Sequence, residues 1–234
     1  MELGKARRLL VFACVTLALA GCGERTAKTT VSAKKTETET KQAEASPPAE
    51  ASTVNYDSVP EALNAVEQLS ASGNPSSQEL MQIEQWLGAQ GRDAVPHLST
   101  ALADPNRHLA VRITACRALS RVGAAGKEPL LQAASAEPRQ LRLKATECLG
   151  RIQPTDKTIV NKLVSTVDSD DFDQRKAALT ALANIGPAAS KADPKLVDKL
   201  TVLLNDTKQD ETLRGLARTT LKKVDPRTGL QNAH

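Results

Sequence analysis

One stretch of the chain, LAVRITACRALSRVG at positions 109–123, recurs three times downstream, and this repetition limits what the chain can fold into. The later copies occupy residues 140–153, 173–186 and 212–225. Arg112 recurs as Arg142, Arg175 and Arg214, at spacings of 30, 33 and 39 residues. Such spacing is typical of repeat arrays, in which each unit is too small to bury its own apolar face.

Apolar residues within each copy follow the periodicity of a helix. Val111, Ala115 and Leu119 are spaced four residues apart, on one face of a helix with 3.6 residues per turn. A shorter periodic run precedes each copy, with helix-stopping residues between the two. A divergent pair of runs lies before the first copy, where we expect Trp86 to fill the end of the core. The sequence therefore predicts an all-α solenoid of about five helical hairpins, with the first helices over residues 95–102, 129–136, 159–167 and 196–204.

The second helix of each unit carries the pattern x-Arg-x-x-Ala-x-x-Ala-Leu-x-x-Ile-Gly after an acidic or proline-containing turn. This pattern resembles HEAT repeats, especially the short kind found in phycobilisome-lyase-type proteins, over residues 94–224. The resemblance implies an α-α superhelix. It also implies a binding scaffold more often than an enzyme.

The first 21 residues have the features of a secretory signal peptide. Three basic residues precede an apolar run of about a dozen residues, which is shorter than the ~20 residues that a membrane-spanning helix needs. The run ends in LAGC at positions 19–22, which resembles the lipobox of bacterial lipoproteins. This resemblance implies cleavage after Gly21 and acylation of Cys22. The alternative is a chance cysteine beside an ordinary signal peptide.

The next segment, residues 22–55, is rich in Thr, Lys, Glu, Ala and Ser and poor in large apolar side chains. We interpret it as a disordered tether behind the lipidated cysteine, because it cannot bury enough apolar surface to offset its ordering entropy. Acyl chains would anchor the mature protein to a membrane without crossing it. Gly23, by resemblance to lipoproteins, favours the outer membrane over the inner, facing the periplasm. Residues 56–226 form the repeat domain and residues 227–234 a C-terminal tail.

Charge is distributed unevenly along the chain. No Lys or Arg occurs between Lys41 and Arg92, whereas the chain from Arg92 onward has 23 basic and 16 acidic residues. This basic body suggests an acidic partner or an anionic polymer, although a merely soluble surface explains it equally well. Two Phe, one Tyr and one Trp leave little for stacking on bases, so we expect no nucleic acid partner. We also expect the protein to be a monomer.

Two columns of cations recur on the second helices. The column formed by Arg112, Arg142, Arg175 and Arg214 lies near the helix starts, where the helix dipole disfavours a cation. We interpret these arginines as structural and expect them to pair with acids in the preceding turns. The other column lies near the helix ends, pointing away from the apolar stripe, and the candidate partner-binding residues are Arg117, Arg121, Arg151 and Lys223. A favourable interaction with the dipole is the alternative explanation for this second column.

The sequence contains no recognisable catalytic constellation. Its three histidines are not at metal-ligand spacing from another His or Cys, and no phosphate loop or nucleophile motif occurs. The acidic cluster at residues 168–173 lacks the order of a calcium loop, and we interpret it as a helix start. We predict that Cys148 is buried, that Cys116 lies on the flank of its helix, and that the two point in different directions and remain free thiols.

These observations predict a lipid-anchored α-solenoid that acts as a non-enzymatic protein-binding scaffold in the cell envelope, without cofactor or metal. Two alternatives remain open. One is a lyase-type repeat protein that handles a small ligand, and the other is a binder of an anionic polymer through a basic concave face.

Overall fold

The computed structural model of the chain describes residues 55–73 and 76–229, all within one compact unit spanning residues 50–234. The predicted signal peptide, the lipidation site Cys22, nearly all of the tether and the last five residues lie outside the described residues. The described part contains α-helices and short 3-10 segments but no strand. None of its helices combines the length and apolar character needed to span a membrane.

Eleven α-helices follow one another in the described residues. They are α1 (Val59–Ala71), α2 (Ser77–Ala89), α3 (Val95–Ala103), α4 (Leu109–Val122), α5 (Lys127–Ala133), α6 (Arg139–Leu149), α7 (Lys157–Thr166), α8 (Phe172–Ile185), α9 (Pro187–Ala192), α10 (Leu196–Asn205) and α11 (Glu211–Val224).

The helices form five hairpins stacked in two layers, which confirms the predicted all-α solenoid. The second helices α2, α4, α6, α8 and α11 pack in succession, each against its own first helix. A continuous core runs between the layers from Val59 to Val224. The extra helix α9, which periodicity did not predict, lies between α8 and α10 and accounts for the longer spacing to the last repeat.

Local chemistry sets the helix boundaries. A ring nitrogen of His108 accepts the Ala110 amide at the start of α4, and α4 ends at Gly123, whose φ of 83° is disfavoured for other residues. The copy at residues 140–153 was expected to be helical throughout, but α6 ends at Leu149. The chain there tightens into i to i−3 hydrogen bonds, and Pro154 disfavours helical geometry at the residue before it.

The arginine column near the helix starts is structural, as predicted, in three of the four units. Arg112 donates through Nε to the Leu102 carbonyl of its own unit and through a terminal nitrogen to the Glu137 carbonyl of the following unit. Arg175 donates in the same way to the Val167 carbonyl and to the Gln209 side chain of the following unit. The expectation of acidic partners is therefore wrong for these two, because the ends of the preceding helices offer unpaired carbonyls.

Arg142 combines both kinds of contact. It donates to the Ala136 carbonyl, pairs with Glu137 in its own turn, and lies 3.9 Å from the carboxylate of Asp171 in the following unit. Arg112, Arg142 and Arg175 thus each connect their own turn to the next one, and we call this set the arginine ladder.

The two cysteines of the repeat domain meet between α4 and α6. Both thiols are free and fully buried, so the expectation that Cys116 lies on the flank of its helix is wrong. The thiols also do not point apart, because they lie close enough to interact with each other. This interaction, together with burial, raises the pKa of Cys116, whereas the same interaction lowers the pKa of Cys148. Close packing of neighbouring second helices brings the two side chains into one layer of the core.

Aromatic side chains of the first unit cover one end of the hydrophobic core. Trp86 packs against the core, and its ring meets Tyr56 edge-on with centroids 5.4 Å apart. Its indole N–H donates to the side-chain oxygen of Asn55 at 3.2 Å. These contacts agree with a packing role for Trp86.

Candidate functional site

The ends of the second helices form an open depression of about 400 Å3 that contains two of the predicted partner-binding residues. Arg121, in the last turn of α4, and Arg151, which follows α6, both line it. The remaining lining residues are Glu84, Ser120, Gly123 and Gln153. The predicted column of cations therefore forms a shared surface across two adjacent repeats, which we call the Arg121–Arg151 site.

A buried carboxylate organises one side of this site. Glu84 lies on α2 with its side chain only 7% exposed, and Arg121 donates to one of its oxygens at 2.8 Å. Arg117, one helical turn earlier on α4, lies 3.7 Å from the other oxygen. A buried carboxylate is costly unless it is paired, so Glu84 holds both guanidinium groups in place.

A glycine makes this arrangement possible. Gly88 lies on α2 one turn after Glu84, and a Cβ atom added there would be 2.7 Å from the Cβ of Arg121. Because no side chain occupies that space, the Arg121 side chain can pass across α2 to reach Glu84. Gly88 therefore positions Arg121 without contacting a ligand itself.

Arg151 is the unpaired cation of the site. Its side chain is exposed and has no ion-pair partner among the described residues. The three arginines carry +3 and Glu84 carries −1, which leaves a formal charge of +2 at the site. A guanidinium group offers paired N–H donors that match a carboxylate or a phosphate. The arrangement is therefore suited to hold an anionic group.

The sequence predicted only some of the residues that form this site. Arg117, Arg121 and Arg151 come together, whereas Lys223 is exposed at the end of α11 and does not line the depression. Glu84 and Gly88 were missed as site residues. The i, i+4 spacing of these two residues was available in the sequence, but their significance depends on how closely α2 and α4 pack.

The acidic cluster at residues 168–173 is engaged in ion pairs and helix capping. Asp171 caps α8 by accepting the backbone amides of Asp173 and Gln174, and it accepts two hydrogen bonds of 2.7 Å from Arg139 of the preceding unit. The hydrogen bonds from Arg139 lower the pKa of Asp171 from 3.8 to about 2. Within the described ranges, no group of three or more His, Cys, Asp or Glu residues could hold a metal ion.

Comparisons with known proteins address the fold of this array. Residues 127–222 match the family model of HEAT repeats. The structure of the complex of CpcE and CpcF of phycocyanin lyase from Nostoc sp. PCC7120 is similar at a TM-score of 0.54 and 16% identity, covering 68% of this chain and 97% of that one.

Two engineered proteins are also similar to this chain. One has 18% identity and a TM-score of 0.43, covering 76% of this chain and 95% of its own. The other has 22% identity and a TM-score of 0.42, covering 69% and 47%. No curated protein matches the chain significantly. The repeat pattern, the two-layered stack and the match of residues 127–222 to the family model together support a HEAT-like repeat array within an all-α solenoid.

Proposed function

We propose that this protein is a lipoprotein of the cell envelope whose HEAT-like array acts as a non-enzymatic scaffold for an acidic protein partner. The observation that carries the proposal is the exposed, unpaired guanidinium group of Arg151 beside Arg121, which Glu84 already holds in place. The proposed partner presents a carboxylate to this pair.

The geometry of the Arg121–Arg151 site is better suited to binding a partner protein than to catalysing a reaction. An oriented arginine loses less conformational freedom on binding, so the ion pair of Arg121 with Glu84 prepares one donor before the partner arrives. The site lies in an open depression across two repeats, as expected for a surface that accepts a segment of another protein.

The first experiment is chemical cross-linking in intact cells that produce the full chain, followed by recovery of its adducts from the membrane fraction. Arg151→Glu should strongly reduce the recovered partner, because it replaces the unpaired cation with an anion. Lys157→Glu is the matched control, since Lys157 is also exposed and has no ion-pair partner in the described part of the chain. Equal recovery with both variants would dismiss the Arg121–Arg151 site as the docking surface.

The proposed anchor is the acylated Cys22, after removal of residues 1–21. It would hold the array at a membrane surface facing the periplasm, with the outer membrane favoured by Gly23. Intact-mass analysis should find the mature chain beginning at an acylated Cys22. The Cys22→Ala variant should remain unprocessed and lose its lipid mass. A mature protein that retains Met1 and carries no lipid would refute this part of the proposal.

Two other functions are distinguishable by experiment. Binding of an anionic polymer to the basic surface predicts affinity that falls steeply with salt concentration, whereas a protein interface with apolar contacts should be less sensitive. A lyase-type role draws on the fold shared with the CpcE and CpcF complex of phycocyanin lyase. Turnover of a ligand by the purified chain, abolished by one substitution, would favour that role.

A further inference from the structure

We propose that the outer side of α11 is a second docking surface, for a protein that presents carboxylates and a protruding turn as a following repeat would. The surface consists of Arg214, Gly215, Arg218, Thr219 and Lys222, and we call it the α11 face. It is separate from the Arg121–Arg151 site, which lies between α4 and the end of α6.

Three cations form a line along this face. Arg214, Arg218 and Lys222 are spaced four residues apart, so they lie on one side of the helix. None of them has an ion-pair partner among the described residues. Like charges at this spacing destabilise a helix. No carboxylate in the described part of the chain forms an ion pair with them, and only Arg214 feels a weaker attraction, from the charge of Asp210.

Arg214 is the corresponding arginine of the last repeat, but it lacks the contacts that the three arginines of the arginine ladder make. Each of those arginines bonds its own turn and a group from the following unit, such as the Glu137 carbonyl or the Gln209 side chain. The Nε atom of Arg214 is buried and has no hydrogen-bond partner. In Arg112 and Arg175 this atom bonds a carbonyl of the same unit, whereas a terminal nitrogen bonds the following unit. The terminal nitrogens of Arg214 have no hydrogen-bond partner among the described residues, so the contact that a following unit makes in the other repeats is open to a partner protein.

The nearby carboxylate at the start of α11 is already engaged. Asp210 caps the helix by accepting the backbone amide of Thr212 at 2.7 Å. Its pKa is lowered, chiefly by its hydrogen bonds with Thr212 and less by the charge of Arg214. Asp210 therefore does not supply the missing acceptor to Arg214.

The shape of the face favours a protein over a lipid surface. A Cβ atom added at Gly215 would meet nothing within 4 Å, and Thr219 is exposed, so a partner can approach the helix closely between the cations. The Nε atom of Arg214 has almost no exposed surface and cannot be reached from outside, whereas a protruding group can approach the terminal nitrogens of this half-buried side chain. A flat layer of anionic headgroups would contact the exposed Arg218 and Lys222 more readily than the half-buried Arg214.

The test is site-specific photo-cross-linking in cells that produce the full chain. A photoreactive residue replaces Thr219 on the α11 face or, as a control, Thr180, which is exposed on α8. We expect a protein adduct at position 219 and not at position 180. It should fall at least about tenfold in the double variant Arg218→Glu with Lys222→Glu, because charge pairs across an interface govern association and specificity. An equally charged variant, Lys157→Glu with Lys191→Glu, should retain the adduct.

Arg214→Glu tests the recessed position separately, with circular dichroism to establish that the variant folds. Because the double variant changes only exposed side chains, it keeps the test valid even if Arg214→Glu does not fold. Absence of a protein adduct at position 219, an adduct to lipid or to a second copy of the chain, or an adduct unaffected by the double variant would overturn the proposal. Arg151→Glu should leave the adduct intact, so failure of the Arg121–Arg151 site and failure of the α11 face are distinguishable.

Discussion

The same substitution, glycine to alanine, should have opposite effects at two helix positions. Gly150 caps the C-terminus of α6, directly after Leu149, where that helix meets α8. A Cβ atom added there would lie 2.5 Å from the Cα and 2.6 Å from the Cβ of Ala181. Gly215 lies within α11, and an added Cβ would meet nothing within 4 Å. The pair therefore tests how closely the second helices of neighbouring units pack.

The magnitude follows from the contact distances. Nonbonded carbons prefer about 3.5–4.0 Å, so Gly150→Ala must push α6 and α8 apart by about 1 Å, against backbone atoms that cannot rotate away. Overpacking of this kind costs about 1–3 kcal/mol. The smaller conformational entropy of alanine in the unfolded chain returns about 0.4–1 kcal/mol. We expect Gly150→Ala to lose about 1–2 kcal/mol, and Gly215→Ala to gain about 0.4–1 kcal/mol.

Urea unfolding followed by far-ultraviolet circular dichroism measures both free energies of unfolding. If the array unfolds in more than one step, the Gly150→Ala effect should fall on the step that separates α6 from α8, because each repeat contacts only its neighbours. Equal stabilisation by both substitutions would refute the close approach of Gly150 to Ala181 and the interrepeat packing inferred from it.

Three further predictions concern charged groups and thiols. Because hydrogen bonds from Arg139 lower the pKa of Asp171 to about 2, its contribution to stability is complete above about pH 4 and is lost as pH falls through 2. Asp171→Asn should therefore reduce the acid-induced loss of unfolding free energy by about 1–2 kcal/mol, allowing for partial exposure, and an unchanged pH profile would contradict this. Glu84→Gln should lower the unfolding free energy by about 1–2 kcal/mol, less than for a fully buried pair because its two arginines remain partly hydrated. Chemical denaturation would detect the change, and a fully stable variant would show that the pair contributes nothing. Cys116 and Cys148 should resist thiol reagents until the protein is denatured, and a bridged peptide in a non-reducing digest would contradict the free thiols.

The local sequence pattern was sufficient to predict most of the helices and the all-α solenoid architecture. The copy at residues 109–123 predicted α4 almost to the residue, because apolar spacing and the closing Gly123 act within a few turns of one helix. The short helix α9 was missed because its six residues are too few to display a helical period. The end of α6 was misplaced because the repeat alignment outweighed the local effect of Pro154.

The sequence by itself determined that apolar stripes too short to stand alone must stack, and that cations recur along one edge of the stack. Only the tertiary structure decided which of those cations pair. Glu84 and Arg121 are 37 residues apart, and their contact depends on Gly88 allowing α2 and α4 to approach closely. The meeting of the two buried thiols likewise depends on the rotation of one helix against the next. Helix periodicity specifies the face a residue occupies, whereas the spacing and rotation between helices arise from side-chain packing across units that are distant in the chain.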